Sequence, residues 1–180
     1  MKNIVIISST PRKNGNSEIL ANSFAKGAKD AGHKVTTIKL RELSYTFCKG
    51  CFACQKTKRC VIKDDVANYL DVIAKADVVV FSSPVYYYAM SGQLKTFIDR
   101  LNPIYVTEHN FKDVYLLATA ADTNEKTIDA LKKEIKGWCT CFEGARLKTS
   151  LFVGGVSNPG DIKSKEDNLV EAYKLGNTIE

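Results

Sequence analysis

Close to its N-terminus the chain contains Ile4-Val5-Ile6-Ile7-Ser8-Ser9-Thr10-Pro11-Arg12-Lys13-Asn14-Gly15-Asn16-Ser17. The first four residues are β-branched and apolar, which is typical of a strand buried on both faces. The polar turn that follows leads into a helical pattern beginning near Ser17. A loop between a strand and a helix gathers unpaired backbone N–H groups at the positive end of the helix dipole, and these suit a bound phosphate. We therefore interpret this stretch as a phosphate-binding loop.

The loop is rich in side-chain donors. They are the hydroxyls of Ser8, Ser9, Thr10 and Ser17, the guanidinium of Arg12, and the amides of Asn14 and Asn16. The pattern of a nucleoside-triphosphate loop is missing because Gly15 is followed by Asn16 rather than lysine, and the three-glycine dinucleotide fingerprint is missing as well. The loop therefore favours a terminal monophosphate. A plain helix cap at Asn16 or Ser17 that binds nothing is the alternative.

Length and composition set the broad class. With 180 residues, 44% hydrophobic and 26% charged, the chain is expected to form one globular domain over 1–180. No apolar run approaches the roughly 20 residues of a membrane span, and the start lacks the pattern of a signal peptide. The net charge of +6 comes from scattered lysines rather than a basic block. We expect a cytoplasmic protein with neither a nucleic-acid nor a membrane partner.

Strand and helix patterns alternate along the whole chain. The strand patterns cover 4–7, 34–40, 76–83, 114–119 and 147–153, and the helix patterns cover 18–31, 64–75, 93–101, 124–141 and the segment from 161 to near the C-terminus. This alternation predicts an α/β fold, a doubly wound five-stranded parallel sheet with helices on both faces. In such a sheet a ligand lies beyond the carboxyl ends of the strands, where the strand order reverses.

The third predicted strand leads into Pro84-Val85-Tyr86-Tyr87-Tyr88-Ala89-Met90-Ser91-Gly92. Its three tyrosines offer flat aromatic faces beside a flexible backbone, which suits a planar ring. A third loop, Thr119 to Thr123, belongs to the same predicted edge of the sheet. A phosphate loop beside a ring-binding loop predicts a mononucleotide site. Core packing or an oligomer contact is the alternative role for the tyrosines.

A long region without hydrophobic periodicity, about 44–63, contains the motif Cys48-x2-Cys51-x2-Cys54-x5-Cys60. Closely spaced thiolates of this kind ligate iron-sulfur clusters or zinc. A basic, exposed cysteine loop that holds no metal is the third alternative. The sequence alone leaves these three alternatives open.

The remaining cysteines and the two histidines are interpreted as structural. Cys139 and Cys141 lie two apart in a predicted helix, so their side chains point in different directions, and we expect both to be buried. His33 and His109 are expected at the surface rather than in catalysis.

Four segments together resemble the flavodoxin-like NAD(P)H-dependent FMN reductases over almost the whole chain. They are the loop from Thr10 to Ser17, Pro84-Val85-Tyr86, Ser91-Gly92-Gln93-Leu94-Lys95 and Phe97-Ile98-Asp99-Arg100. The resemblance implies a flavodoxin-like fold and non-covalent FMN, with phosphate in the first loop and the isoalloxazine against the second and third. It also implies transfer of electrons from NAD(P)H through FMN to a small acceptor such as a flavin, a quinone or an oxygen species. The family commonly begins the first loop with Gly-Ser, where this chain has Ser9-Thr10.

The loops and the resemblance together give a set of candidate cofactor-binding residues. These are Ser9, Thr10, Arg12, Asn16, Ser17, Pro84, Val85, Tyr86, Tyr87 and Thr119. No separate catalytic residue is expected, because the flavin carries the chemistry.

The cysteine motif resembles that of one subgroup, the iron-sulfur flavoproteins. This similarity implies a [4Fe-4S] cluster on Cys48, Cys51, Cys54 and Cys60, and single-electron exchange with a partner such as ferredoxin. The family resemblance also implies a homo-oligomer. The sequence thus predicts an enzyme, with an electron carrier and a cofactor-free interaction protein as the competing classes.

Overall fold

The computed structural model describes residues 1–180 and contains a sheet of six strands. The strands are β1 (Asn3–Ser8), β2 (Lys34–Lys39), β3 (Val78–Tyr86), β4 (Ala89–Met90), β5 (Asp113–Thr119) and β6 (Arg146–Val153). Five of them are parallel in the order β2-β1-β3-β5-β6, and the short β4 pairs antiparallel with the end of β3. This is the flavodoxin-like strand order. The predicted doubly wound parallel sheet is confirmed, with one short strand added inside a segment predicted as loop.

Seven α-helices accompany the sheet. They are α1 (Asn16–Asp30), α2 (Ala53–Thr57), α3 (Leu70–Ala74), α4 (Gly92–Asp99), α5 (Asn102–Tyr105), α6 (Asp129–Cys139) and α7 (Glu166–Asn177). Three of the predicted helices begin instead with a 3-10 turn, over Asp65–Asn68, Glu125–Ile128 and Asp161–Ser164. At the first two a side chain, that of Asp64 or Asn124, accepts from the N–H two residues further on. Such local bonds compete with the α-helical pattern, which explains the later start of α3 and α6.

The central strands are buried on both faces, as their continuous apolar sequences predict. In β1, Ile4 and Ile6 pack against α1 and α7, whereas Val5 and Ile7 face the opposite layer, formed by α3 to α6. Burial on both faces explains why this strand lacks the polar alternation of a half-exposed one.

The strand order reverses between β1 and β3. These strands are paired in register, with Ser8 beside Ser82 at their carboxyl ends. The helix that follows β1 covers one face of the sheet and α4, which follows β3, covers the other. The chain therefore leaves the two strand ends in opposite directions and opens a crevice between them. None of the helices combines the length and hydropathy that crossing a bilayer requires.

Candidate functional site

The end of β3 and the loops that follow β1, β5 and β6 enclose a cleft of about 270 Å³ at this crevice. Its lining consists of Thr10, Arg12, Gly15, Asn16, Ser17, Pro84, Val85, Tyr86, Thr119, Ala120, Ala121, Val156 and Ser157. The polar loop after β1 and the proline-tyrosine segment thus lie on one cleft, and eight of the ten candidate cofactor-binding residues line it. We call it the cofactor cleft.

The β1 loop folds tightly around the Thr10 hydroxyl. A Cβ atom on Gly15 would lie 2.5 Å from Thr10 Oγ1 and 3.1 Å from the Arg12 carbonyl oxygen. The turn is closed by the Gly15 N–H, which donates to that same carbonyl at 3.1 Å. Asn14 before it has a φ of 56°, a left-handed conformation that asparagine adopts more readily than most residues. Only glycine at position 15 leaves this concave surface open.

Ser17 places an unused donor at the start of a long helix. Ser17 is 1% exposed, and its Oγ has no hydrogen-bond partner. A buried hydroxyl without a partner is costly, so its presence in a cleft wall indicates a ligand that would satisfy it. The surrounding first-turn N–H groups of the 15-residue α1 and its dipole favour an anion there.

Asn16 lines the cleft, but its side-chain amide is already engaged. Nδ2 donates to the Asn158 carbonyl at 2.9 Å, and Oδ1 accepts from Gly160 N and Ile162 N at 3.1 and 3.2 Å. Asn16 therefore anchors the loop after β6 to the start of α1. Its side chain shapes a wall of the cleft, and one of its two Nδ2 N–H groups has no partner within the protein.

Arg12 also connects the loop after β1 to the loop after β6. Its Nη1 donates to the Ser157 carbonyl at 2.7 Å, while the remaining guanidinium N–H groups are uncommitted within the protein. Arg12 is the one charged residue in the cleft lining. It gives the cleft a fixed positive charge at the end where α1 begins.

Two candidate residues lie outside the cleft lining. Ser9 is 1% exposed, and its hydroxyl donates to the Ser82 carbonyl at 2.9 Å and accepts from Ser91 Oγ at 3.0 Å. It ties β1 to β3 beneath the cleft. Tyr87 is fully exposed and forms, with Tyr88, the two-residue turn of the β3–β4 hairpin. Both tyrosines have positive φ, 49° and 64°, which the sequence does not signal because glycine and asparagine dominate such turns.

Glu18 supports the β1 loop and was missed by the sequence analysis. It is 3% exposed, accepts from Asn14 N at 2.8 Å, and pairs with Arg41 at 3.0 Å and Lys39 at 3.4 Å. Burial raises the pKa of Glu18, but the hydrogen bonds from Arg41 and Asn14 outweigh it and leave the pKa lowered. The signal was available, because a glutamate three residues after the N-cap Gly15 occupies the reaching-back position of a capping box.

The far wall of the cleft was predicted only in part, because the loop after Thr119 was assigned to this edge of the sheet and the loop after β6 was not. Ala120 and Ala121 follow β5, and Val156 and Ser157 follow β6. The run of small residues after Thr119 was the only sequence signal, since apolar and small residues in a loop carry no chemistry of their own. These small side chains leave the cleft open, and the width of the opening depends on how the strands are arranged.

The four motif cysteines line a second pocket, here called the cysteine pocket. Its lining is Cys48, Lys49, Gly50, Cys51, Phe52, Cys54, Cys60, Val61, Ile62, Asp99, Arg100, Asn102 and Pro103. No three histidine, cysteine, aspartate or glutamate side chains in the chain converge as the ligands of one metal ion do. The thiols surround a space instead of meeting at a point.

The cysteine pocket is bordered by apolar side chains and by donors to sulfur. Cys48 Sγ lies 3.4 Å from Gly50 N and 3.7 Å from Asn102 Nδ2. Burial raises the pKa of Cys54, and its proximity to Cys60, Cys48 and Cys51 raises it further. The Cys54 sulfur therefore lies close to the other three.

The other cysteines differ from each other. Cys139 is buried in α6, and burial raises its pKa to about 11. Cys141 is exposed, so the prediction that both are buried is wrong for it, because α6 ends at Cys139 and the following turn faces outward. The two point in different directions, as predicted. His33 and His109 are half-buried and line neither the cofactor cleft nor the cysteine pocket.

Comparison with known proteins connects this geometry to a function. Residues 2–144 match the family described as NADPH-dependent FMN reductase. The chain belongs to that family. It is an NAD(P)H-dependent FMN oxidoreductase that acts on small molecules, and the sequence-based predictions of family, cofactor and enzyme class are confirmed.

Individual relatives place this reductase more closely. It is 27% identical to an iron-sulfur flavoprotein of Archaeoglobus fulgidus, covering 99% of this chain and 79% of that protein. It is 29% identical to an iron-sulfur flavoprotein of Methanocaldococcus jannaschii, covering 98% of this chain and 94% of the relative. The NAD(P)H:quinone oxidoreductase from Methanothermobacter marburgensis shares the fold, with a TM-score of 0.71 at 21% identity over 99% of this chain and 96% of that one.

Proposed function

We propose that the reductase binds FMN in the cofactor cleft, with the phosphate on the β1 loop and the isoalloxazine against Pro84 to Tyr86. The observation that carries this proposal is the buried, unpartnered Ser17 hydroxyl at the start of α1, in a wall of the same cleft that the proline-tyrosine segment lines. Ser17 supplies a donor where phosphate oxygens need one. The opposite wall supplies an aromatic face.

Three side chains supply donors at the phosphate end. Thr10 Oγ1 accepts from Arg12 N at 3.3 Å, which leaves its own hydrogen free to donate outward. Ser17 donates its hydroxyl hydrogen, and Arg12 donates its remaining guanidinium N–H groups. Charge-assisted bonds of this type are among the strongest available to a phosphate.

At the ring end, the shape of the cleft walls would hold the isoalloxazine. Tyr86 is 41% exposed and Pro84 and Val85 stand beside it, so they offer a partly open, flat wall. Ala120 and Ala121 extend no further than Cβ and leave room for a planar group beside Thr119.

When bound, FMN supplies the redox chemistry, accepting hydride from NAD(P)H and passing electrons to a small acceptor such as a quinone. The cleft lining contains no carboxylate, histidine, lysine or cysteine, so the chain's own task there is to bind and orient. Arg12 also balances the phosphate charge. Acceptor and nicotinamide are expected to reach the cleft from the side of Tyr86, which is its exposed wall.

Anaerobic mixing tests the catalytic proposal. The FMN-loaded protein should lose its flavin absorbance when NADH or NADPH is added, without any protein partner. An electron carrier would bleach only when a partner reductase is supplied. Flavin that stays oxidised with both nucleotides would remove the reductase proposal for this cleft.

We propose a second role for the cysteine pocket, that of an iron-sulfur site exchanging single electrons with a ferredoxin-type partner. Tetrahedral zinc would require four sulfurs within about 2.3 Å of one point, and no three ligands converge in that way. Four thiols spread around one pocket suit the separated corners of a cubane. Both relatives described above are named iron-sulfur flavoproteins.

Iron and acid-labile sulfide per chain, measured after anaerobic purification, test this second role. Cys51→Ala should lose most of the bound iron, and Cys141→Ala should retain it because Cys141 lies outside the pocket. Equal iron in the wild type and in Cys51→Ala would contradict cluster ligation.

The homo-oligomer implied by the family resemblance is also a proposal. Exposed aromatic side chains support it, since Phe47, Phe52 and Tyr87 are at least 65% exposed. Light scattering of the FMN-loaded protein would give the mass, and a monomer at micromolar concentration would count against it.

A further inference from the structure

The junction between α4 and α5 lies directly under the cysteine loop. Arg100, at the end of α4, has a side chain that is 0% exposed, although most arginines lie at the surface. Its guanidinium pairs with Asp64 through two bonds, Nη1 to Oδ2 at 2.6 Å and Nη2 to Oδ1 at 3.0 Å. A buried charge of this kind needs such a partner.

Arg100 also joins the two ends of the cysteine loop. Nη1 donates to the Thr46 carbonyl at 2.8 Å, and Nη2 donates to the Ile62 carbonyl at 3.3 Å. Cys48 follows Thr46 by two residues, and Cys60 precedes Ile62 by two. One side chain therefore fixes the separation between the first and last cysteines of the motif.

The same junction also places a hydrogen-bond donor near a cysteine sulfur. Asn102 Nδ2 lies 3.7 Å from Cys48 Sγ. Arg100 Nε is buried without a hydrogen-bond partner, and Arg100 lines the pocket together with Cys60.

We infer that Arg100 and Asn102 are positioning residues for the cysteine pocket: Arg100 fixes the separation of Cys48 and Cys60, and Asn102 donates a hydrogen bond to the Cys48 sulfur. The inference rests on the proposed iron-sulfur role of the pocket. Donors to ligand sulfurs stabilise the more negative, reduced state of an iron-sulfur site. Removing the Asn102 donor therefore lowers the reduction potential of the site, and removing the bonds of Arg100 to both ends of the loop loosens its iron.

The test uses the full-length, FMN-loaded chain with iron and sulfide reconstituted anaerobically. Asn102→Asp keeps the side-chain shape and replaces the N–H donors with a carboxylate. Arg100→Lys keeps the positive charge and loses the planar guanidinium that donates to several acceptors at once. The controls are Asn110→Asp and Arg146→Lys, which make the same chemical changes at exposed positions outside the pocket. The measurements are the reduction potential, the rate of iron release to a chelator, the FMN content and the melting temperature.

Asn102→Asp should show a lower reduction potential than its control, and both test variants should release iron about 10- to 100-fold faster than theirs. Asn102→Asp should keep the wild-type FMN content and melting temperature, so a general loss of fold would not explain its effect. Potentials and release rates equal to those of the controls would overturn the inference. It would also be overturned if Arg100→Lys lost iron only in step with its melting temperature while Asn102→Asp behaved as its control.

Failure of the proposed iron-sulfur role would give a different result from failure of this inference. A wild-type chain that takes up no iron would overturn the iron-sulfur role and this inference with it, whereas iron-loaded variants that match their controls would overturn only the inference. FMN binding is measured in the same samples, so the reductase assignment stays separate from both outcomes.

Discussion

The cofactor cleft and the cysteine pocket are held in shape by different means. The cleft stands on the carboxyl ends of paired strands, where Ser8 lies beside Ser82 and Ser9 bonds across to β3. The cysteine pocket stands on a loop that contains only the short α2, and its ends are joined through one buried ion pair, Arg100 with Asp64. A ligand site built on a sheet shares its support among many bonds. A site built on a loop depends on a few side chains, and single substitutions should distinguish the two.

The largest expected effect is that of Asp64→Ala. It leaves the buried Arg100 guanidinium without its carboxylate, and breaking a buried pair in this way costs about 3 to 5 kcal/mol of unfolding free energy. Urea denaturation measures the loss. Asp113→Ala is the control, because the partners of Asp113 are the exposed Arg146 and Lys148, and exposed pairs contribute about 0 to 1 kcal/mol. Equal losses in the two variants would show that the cysteine loop does not depend on the buried ion pair.

A smaller effect is expected in the cleft from Arg12→Ala. The substitution should weaken FMN binding by about 1.5 to 3 kcal/mol through loss of a charge-assisted hydrogen bond, with little change in stability. Titration of the apoprotein with FMN, followed by fluorescence quenching, measures it. Lys13→Ala removes a neighbouring charge that does not line the cleft, and its affinity should stay near that of the wild type. An Arg12 variant with unchanged affinity would refute the role proposed for this residue.

Acid should affect both regions in the same direction. The carboxylates of Glu18, under the β1 loop, and Asp64, under the cysteine loop, both have lowered pKa values in the folded state, because hydrogen bonds and cations outweigh their burial. Stability from such groups is fully present above their unfolded pKa values, about 4, and is lost as the pH falls through the folded ones. The unfolding free energy should be flat from pH 7 to about 5 and decline below about 4. Glu18→Gln should have a shallower acid decline, and an equal slope would show that Glu18 stays no more ionised in the native state than in the unfolded one.

The smallest effect is a gain in stability at the rim of the cleft. Tyr87 and Tyr88 both occupy left-handed backbone, which suits Asn-Gly in a two-residue hairpin turn. Replacing the pair with Asn-Gly should raise the unfolding free energy by about 1 kcal/mol. Tyr105→Asn alters an exposed tyrosine in ordinary helical backbone and should give no gain. A double variant no more stable than the wild type would show that the turn is not strained.

The structure also shows which sequence signals were sufficient. Continuous apolar runs such as Ile4 to Ile7 predicted the buried strands, because only a strand covered on both faces has no polar side. The loop after β1 and the segment beginning at Pro84 were predicted to share an edge, because parallel strands end on the same side of a sheet. The structure brings both to one cleft. The cysteine motif was found from spacing alone, and the structure places all four cysteines around one pocket.

Other features required side-chain positions that one-dimensional patterns do not contain. Asn16 was predicted from the loop only as a donor to phosphate, and the structure shows that it also ties the start of α1 to the loop after β6, more than 140 residues away in sequence. Arg100 belonged to a helical motif, and nothing in its neighbours predicted that it would be buried against Asp64. Such long-range polar pairs depend on which loops meet after the sheet has formed.

The sequence by itself determined the parallel sheet, the edge at which ligands gather and the residues able to bind phosphate, because these follow from periodicity and from the chemistry of short segments. The tertiary structure decided which of those donors remain free, how wide the cleft is and what closes the cysteine loop. The physical reason is that a polar group can serve a ligand only if no other part of the chain has already satisfied it. That depends on contacts between segments far apart in sequence.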